Sequence, residues 1–399
     1  MKNQKLKPKI IFLNQGASPL FRELAEELAR TWNPCVLFTG NPYTLKSDCD
    51  KSLVICKAPQ YNKKNYMTRI ISWVKYCFCA FIKCMSQPSD SLIFLTSNPP
   101  IAGFIGYFFK RIRKQKYVML IYDIYPDTLI KFGPLKENAF IARLWNNMNR
   151  KIWENAEVVF TLGGYMADTM EKKCDFSKTT YGKIKVISNW ADVGWIKPLN
   201  KEENHLAEKY GQIDKLTIMY AGNIGQTHDI ETIIESAIQL KDKDSINFLF
   251  IGKGAKKHLV EKAKTEENLK NLFILPYFPE EVVPFSLAMA DIAMVTLASG
   301  AECLISPHRI YYHMAAGSCI IGLCNNSEVS RVVSKHHCGC VISPGDSEAL
   351  TKTFLELHEN KMKLDTYCKN SRNSAVQYYS KQNIKKYIET MRKINAIPE

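Results

Sequence analysis

The chain has 399 residues, of which 46% are apolar, 23% are charged and only 36 are Gly or Pro (19 and 17). This excludes a disordered, collagen-like or linker-dominated protein and makes two α/β domains of roughly 200 residues the expectation. The net charge of +15 is lopsided: residues 1–200 hold 30 Lys and Arg against 15 Asp and Glu, and residues 201–399 hold 24 against 24.

The segment 51–150 alone carries 16 basic and 4 acidic residues. Such a field suits an anionic partner: phospholipid, lipid pyrophosphate or nucleic acid. Thirteen cysteines, an odd number with no C-x-x-C pair, fit a reducing compartment better than a disulfide framework. The basic stretch 1–9 is followed by an apolar run, 10–13, too short for a signal-peptide core.

In chain order, short β-branched-rich runs alternate with helical-period segments, the pattern of parallel sheets with crossover helices. Strands are expected at 9–13, 35–39, 91–96, 117–122, 157–162 and 185–188. A helix over 20–30 places Leu20, Leu24 and Leu28 on one face. Residues 67–85 (MTRIISWVKYCFCAFIKCM) set Arg69, Lys75 and Lys83 among Ile, Trp, Phe and Cys. That suits a helix lying in a headgroup layer; an amphipathic helix packed on the sheet is the other reading, and both stand. The basic run 110–116 (KRIRKQK) after the apolar helix 101–109 adds to the membrane reading. No run of 18 uninterrupted apolar residues occurs, so no spanning helix is expected.

The polar stretch 198–212 separates this series from a second one, with strands at 216–220, 246–251, 272–275, 291–297, 319–323 and 339–342. Domain boundaries are expected at 1–195 and 196–375. In the remainder, 376–399, Ile384, Tyr387, Ile388 and Met391 at helical spacing form a helix crossing back to the first domain. Both domains read as doubly wound, and such sheets bind ligands beyond the carboxyl ends of their strands.

Three loops of the second half are phosphate-compatible. After the strand 216–220 come Gly222, Asn223, Gly225 and His228, then a helix whose first turn would favour an anion. Gly252, Lys253 and Gly254 follow the next strand. The third loop, 300–309, contains Glu302 and leads through Ser306-Pro307, expected as cap and first helical residue, to Arg309. Each glycine pair alone is equally a plain turn; three phosphate-compatible loops at strand ends of one series are harder to assign to chance. In the first half, Gly16 reads as a close-approach glycine, and Asp123 and Asp127 (YDIYPD) lie just past a strand end. His336, His337, Cys338 and Cys340 lack a second cluster and are not taken as a metal site. No P-loop occurs.

The motif order resembles retaining family-4 glycosyltransferases of the GT-B fold, of the bacterial surface-polysaccharide type. The words are VISNWAD (186–192), YAGNIGQTHDIETIIESA (220–237), FLFIGKGAKK (248–257), ILPYFPEEVVPFSLAMADIAMVTL (274–297), SPHRIYYHMAAG (306–317) and CGCVISPGDSEAL (338–350). The segment 96–127, from TSNPP to YPD, looks like the acceptor half.

The resemblance implies two Rossmann-like domains facing across a cleft, the first binding an acceptor and the second a nucleotide sugar, most simply a UDP-sugar. It implies hexosyl or N-acetylhexosaminyl transfer with retention to a lipid-pyrophosphate-linked or glycan acceptor, with no metal or other cofactor required. The diphosphate would lie over Gly222, Asn223 and Gly225 and the helix near Ser306, the base near Gly252 to Gly254 and Tyr277, and the acceptor near Gly16 and Asn98; Asp123 and Asp127, as acceptor-hydroxyl or sugar ligands, are with Arg309 the candidate catalytic residues. The expected place is the cytoplasm, peripheral on the inner face of the plasma membrane at an anionic surface. Asn223 and His228 stand where many members have Arg and Lys, and the paired glutamates are replaced by Leu304 and Tyr312. Neutralisation of the diphosphate then falls to Arg309. These departures keep open an alternative, a catalytically inactive assembly or regulatory partner of the same fold. Nucleic-acid binding lacks any recognition motif.

Overall fold

The computed structural model describes residues 7–46, 51–62, 64–174 and 182–397. The chain divides into two compact units, Met1–Ile187 with Ile384–Glu399, and Ser188–Asn383. The changeover thus falls at 187/188 and after Asn383, rather than at 195/196 and 375/376. The cause is local bonding inside the second unit. Ala191 N–H donates to Tyr379 O (2.8 Å), and the Arg372 guanidinium donates to Ile196 O and Val193 O (2.9 Å each).

In the first unit the strands are β1 Ile10–Leu13, β2 Cys35–Thr39, β3 Leu53–Lys57, β4 Leu92–Thr96, β5 Tyr117–Ile121, β6 Val159–Thr161 and β7 Ile184–Val186. They form one parallel sheet in the order β3-β2-β1-β4-β5-β6-β7, with Ile10 opposite both Cys35 and Leu92. Every residue of β1, β2, β4 and β5 is buried, because helices cover both faces of a parallel sheet. β3 is absent from the sequence expectation. It is an edge strand whose Val54 is 40% exposed, so it shows neither a buried run nor a clean alternation. Phe12, Phe21 and Phe94 meet at 5.4–6.1 Å between ring centres. The last helix, Gln382–Lys393, places the fully buried Tyr387 ring 4.6 Å from Phe160.

The second unit has β8 Leu216–Asn223, β9 Ile246–Lys253, β10 Leu272–Leu275, β11 Ile292–Thr296, β12 Cys319–Leu323 and β13 Gly339–Ile342. This sheet is also all parallel, in the order β10-β9-β8-β11-β12-β13. Its order turns back between β8 and β11, as that of the first sheet does between β1 and β4, which creates a switch point where ligand-binding loops diverge. β8 and β9 run further than expected, pairing Gly222 with Gly252 and Asn223 with Lys253. Among the described residues no helix is long and apolar enough to cross a membrane, and the described cysteines are free.

Candidate donor and acceptor sites

At the carboxyl end of the second sheet, β8 and β9 touch backbone to backbone. Gly252 has φ +143°, and a Cβ there would lie 2.0 Å from Gly222 O. Side chains are therefore excluded from this point, and the paired strands extend past the sheet as a flat, backbone-lined ledge. Tyr277, 48% exposed, lies against the ledge, 3.3 Å from that same Cβ position. Lys253 and Gly254 are exposed beside it.

The cation of the site is positioned from the helix Arg309–Ala316. Arg309 places its guanidinium 5.0 Å from the centre of the Tyr220 ring, a cation–π contact. Gly222 has φ +138°, and a Cβ on it would lie 2.5 Å from the guanidinium carbon. One guanidinium nitrogen, Nη1, is buried without a hydrogen-bond partner. A buried orphan donor on a fixed charge is costly unless a ligand occupies it.

His228 completes the surround. Its ring lies 6.1 Å from Tyr220, and Nδ1 donates to Thr296 O at 2.8 Å. Burial first, and Arg309 second, push its pKa down to about 3. His228 is thus neutral at physiological pH and adds no second cation. Lys256 closes the loop by donating to His228 O (2.8 Å) and to Glu231 (2.9 Å).

Two sequence expectations change here. The helix after the β8 loop, Glu231–Gln239, does not offer its first amides freely. Asp229 accepts from Thr232 N–H (3.1 Å), the Thr232 hydroxyl (2.6 Å) and Gly345 N–H (3.1 Å), so the chain's own carboxylate occupies the anion position. Nor do Ser306-Pro307 start the next helix. It begins at Arg309, after His308, with no side-chain capping bond, so no side chain of its cap satisfies its first amides. Ser306 lies upstream and half-buried. Tyr312 is one turn into the helix, its ring 5.7 Å from His308. Glu302 accepts from Gly300 N–H (2.6 Å) and Asn325 Nδ2 (2.9 Å), so its carboxylate is engaged in shaping its own loop.

In the first unit, the ends of β1, β4 and β5 bring together Gly16, Asn98 and Asp123. A Cβ on Gly16 would lie 2.7 Å from Asn98 Nδ2. The amides of Tyr122 and Asp123 donate to Ser97 Oγ (2.9 and 3.3 Å). Asp127 opens the helix Asp127–Phe132 and pairs with Lys173 at 2.8 Å. Sequence reasoning missed the aromatic cage of Arg69. Its guanidinium carbon is 5.5–6.0 Å from the rings of Tyr66, Trp73 and Tyr61, its Nε donates to Tyr61 O–H (3.1 Å), and the Trp73 indole N–H is buried without a partner. The signal lies in the aromatic residues around Arg69: Tyr61 and Tyr66 before it and Trp73 after it.

A family model described as "Glycosyl transferases group 1" matches residues 202–374. The second unit is a group 1 glycosyl transferase domain. Over 305 residues the chain is 28% identical to the probable glycosyltransferase WbjE of Pseudomonas aeruginosa, covering 76% of this chain and 75% of WbjE. The putative colanic acid biosynthesis glycosyl transferase WcaI of Escherichia coli K12 is 32% identical over 204 residues, 50% of this chain and 49% of WcaI. The crystal structure of Anabaena HepE in complex with UDP-glucose superposes with a TM-score of 0.75 at 14% identity, over 97% of this chain and 99% of HepE. The glycosyl transferase domain and the preceding unit are therefore the two Rossmann-like halves of the GT-B fold.

Proposed function

We propose that the whole chain is a glycosyltransferase that takes a sugar from a nucleoside diphosphate, a UDP-sugar, and transfers it with retention to a lipid-pyrophosphate-linked or glycan acceptor in the synthesis of a bacterial surface polysaccharide. The observation that carries the donor assignment is Arg309: a cation fixed against Gly222 and Tyr220, with Nη1 buried and unbonded, at an uncapped helix start. The diphosphate lies between Arg309 and the amides of that helix start, and the uracil ring lies on the Gly252 ledge beside Tyr277. As the sugar C1–O bond breaks, charge grows on the leaving phosphate, and preorganised donors of this kind stabilise it. The acceptor hydroxyl attacks C1 from the face the phosphate leaves, and its proton passes to the leaving phosphate oxygen. HepE's complex with UDP-glucose and the naming of WcaI for colanic acid synthesis support the donor and the pathway class.

On the acceptor side, Gly16, Asn98 and Asp123 hold the acceptor hydroxyls and the caged Arg69 faces its anionic group. The place of action is the inner face of the plasma membrane. Incubating the purified protein with a panel of UDP-sugars and a lipid-pyrophosphate acceptor, and determining the anomeric configuration of the product, tests this reading. An α-linked product from an α-linked donor supports it. No turnover of any donor, with UDP still bound, returns the inactive assembly protein as the better account.

A further inference from the structure

The helix Tyr66–Met85 is apolar on its exposed face as well as on its buried one. Its buried positions are Ser72, Trp73, Tyr76, Ala80 and Cys84. Met67, Ile71, Val74, Phe78, Ile82 and Met85 are 45–67% exposed. These six recur every three or four residues and so form one stripe, about 27 Å long at 1.5 Å per residue. The helix Gly103–Arg113 broadens it: Phe104, Phe108 and Ile112, four residues apart, are 37–56% exposed. Phe81 joins the two helices, its ring 5.1 Å from Phe108, and Arg113 Nη1 reaches the carbonyls of Cys84 and Met85 (3.4 Å each). Scattered exposed apolar residues are ordinary; a continuous face of nine is a binding surface.

Charge identifies what covers it. Residues 66–116 hold eight Lys and Arg and a single acid, Asp90. Lys75, Arg111 and Lys114 are exposed, and Lys75 lies on the flank of the stripe rather than in it. A second copy of the chain docked face to face would set these cations against their own kind. A layer with anionic phosphates above hydrocarbon answers both features at once.

We propose that these two helices lie flat in the headgroup layer of an anionic bilayer, with the apolar stripe among the acyl chains and the flanking cations on lipid phosphates. The inference rests on the lipid-linked acceptor reading and adds insertion to charge attraction: salt, which screens the cations, leaves the apolar contact intact. The test is flotation of the full-length protein with phosphatidylcholine vesicles, with and without about one third phosphatidylglycerol, at about 0.1 M and about 0.5 M salt.

The expected result is binding to anionic vesicles with a substantial fraction retained at high salt. The double variant Val74→Asp, Phe78→Asp is expected to lose binding about ten-fold or more, with melting temperature and UDP affinity unchanged. Lys75→Glu with Arg111→Glu is expected to abolish the preference for anionic over neutral vesicles. Full release of the wild type by salt, or a double variant that floats like the wild type, overturns the proposal. So does a wild-type dimer that the double variant dissolves, since the face then belongs to self-association. UDP binding measured in parallel keeps the questions separate: a chain that binds UDP but does not float loses only this inference.

Discussion

A methyl group at position 222 would lie 2.5 Å from the Arg309 guanidinium carbon, so the glycine and the arginine form one feature although 87 residues of sequence separate them. Arg309→Ala is expected to slow transfer about 10²–10³-fold, the loss typical of removing one preorganised donor. Arg309→Lys keeps the charge but not the planar fork, and is expected to recover only part of the rate. Gly222→Ala is expected to displace the guanidinium and to cost about 1–3 kcal/mol of stability through its positive φ. Steady-state kinetics with denaturant unfolding on the same samples separates the two effects.

Two buried histidines make a second prediction at this scale. His228 and His313 are both driven down to about 3, by burial and then by Arg309, and neither ring nitrogen of His313 has a partner. The unfolded chain takes up protons near pH 6.5 while the folded one does not, so stability is full above about pH 6.5 and falls as pH drops from there toward 3. The expected slope is up to about 1.4 kcal/mol per pH unit for each histidine. Denaturant midpoints at several pH values check it, and His313→Leu is expected to flatten the slope.

Among the elements, the helix Glu231–Gln239 depends on Asp229. Asp229→Ala removes an acceptor from three donors and is expected to cost about 1–2 kcal/mol, read as a lower denaturant midpoint. The elements also show what a sequence can convey. Buried central strands such as β4 (LIFLT) and β12 (CIIGL) are legible because burial on both faces demands an unbroken apolar run. β3 is not, because an edge strand is only partly buried. The lengths of β8 and β9 and the start of the Arg309 helix are not legible for a different reason. Whether Gly222 and Gly252 end a strand or extend it depends on which chain lies opposite, and whether Ser306 caps a helix depends on where the loop of Glu302 and Asn325 delivers the chain. Pairing across the fold decides both. Gly16 beside Asn98 and Arg309 beside Gly222 follow the sequence pattern in residue type, but their contact appears only in three dimensions.

At the scale of the whole molecule, the chain leaves the first unit at 187 and returns to it at 384, so the first unit is incomplete without its last helix. Tyr387, fully buried against Phe160 at 4.6 Å, is expected to cost about 3–5 kcal/mol when changed to Ala. The loss should appear in the unfolding of the first unit, giving two transitions where the units no longer unfold together. The charge asymmetry belongs to this scale too: the excess of basic residues lies wholly in the first 200 residues, while the second unit holds the proposed donor machinery around one guanidinium. That machinery is tested most directly by a crystal structure of the protein with UDP. The account expects a pyrophosphate oxygen within hydrogen-bond distance of Arg309 Nη1 and of an amide at the start of the Arg309–Ala316 helix, with the uracil near Tyr277. UDP bound elsewhere, with Nη1 still unbonded, would contradict it.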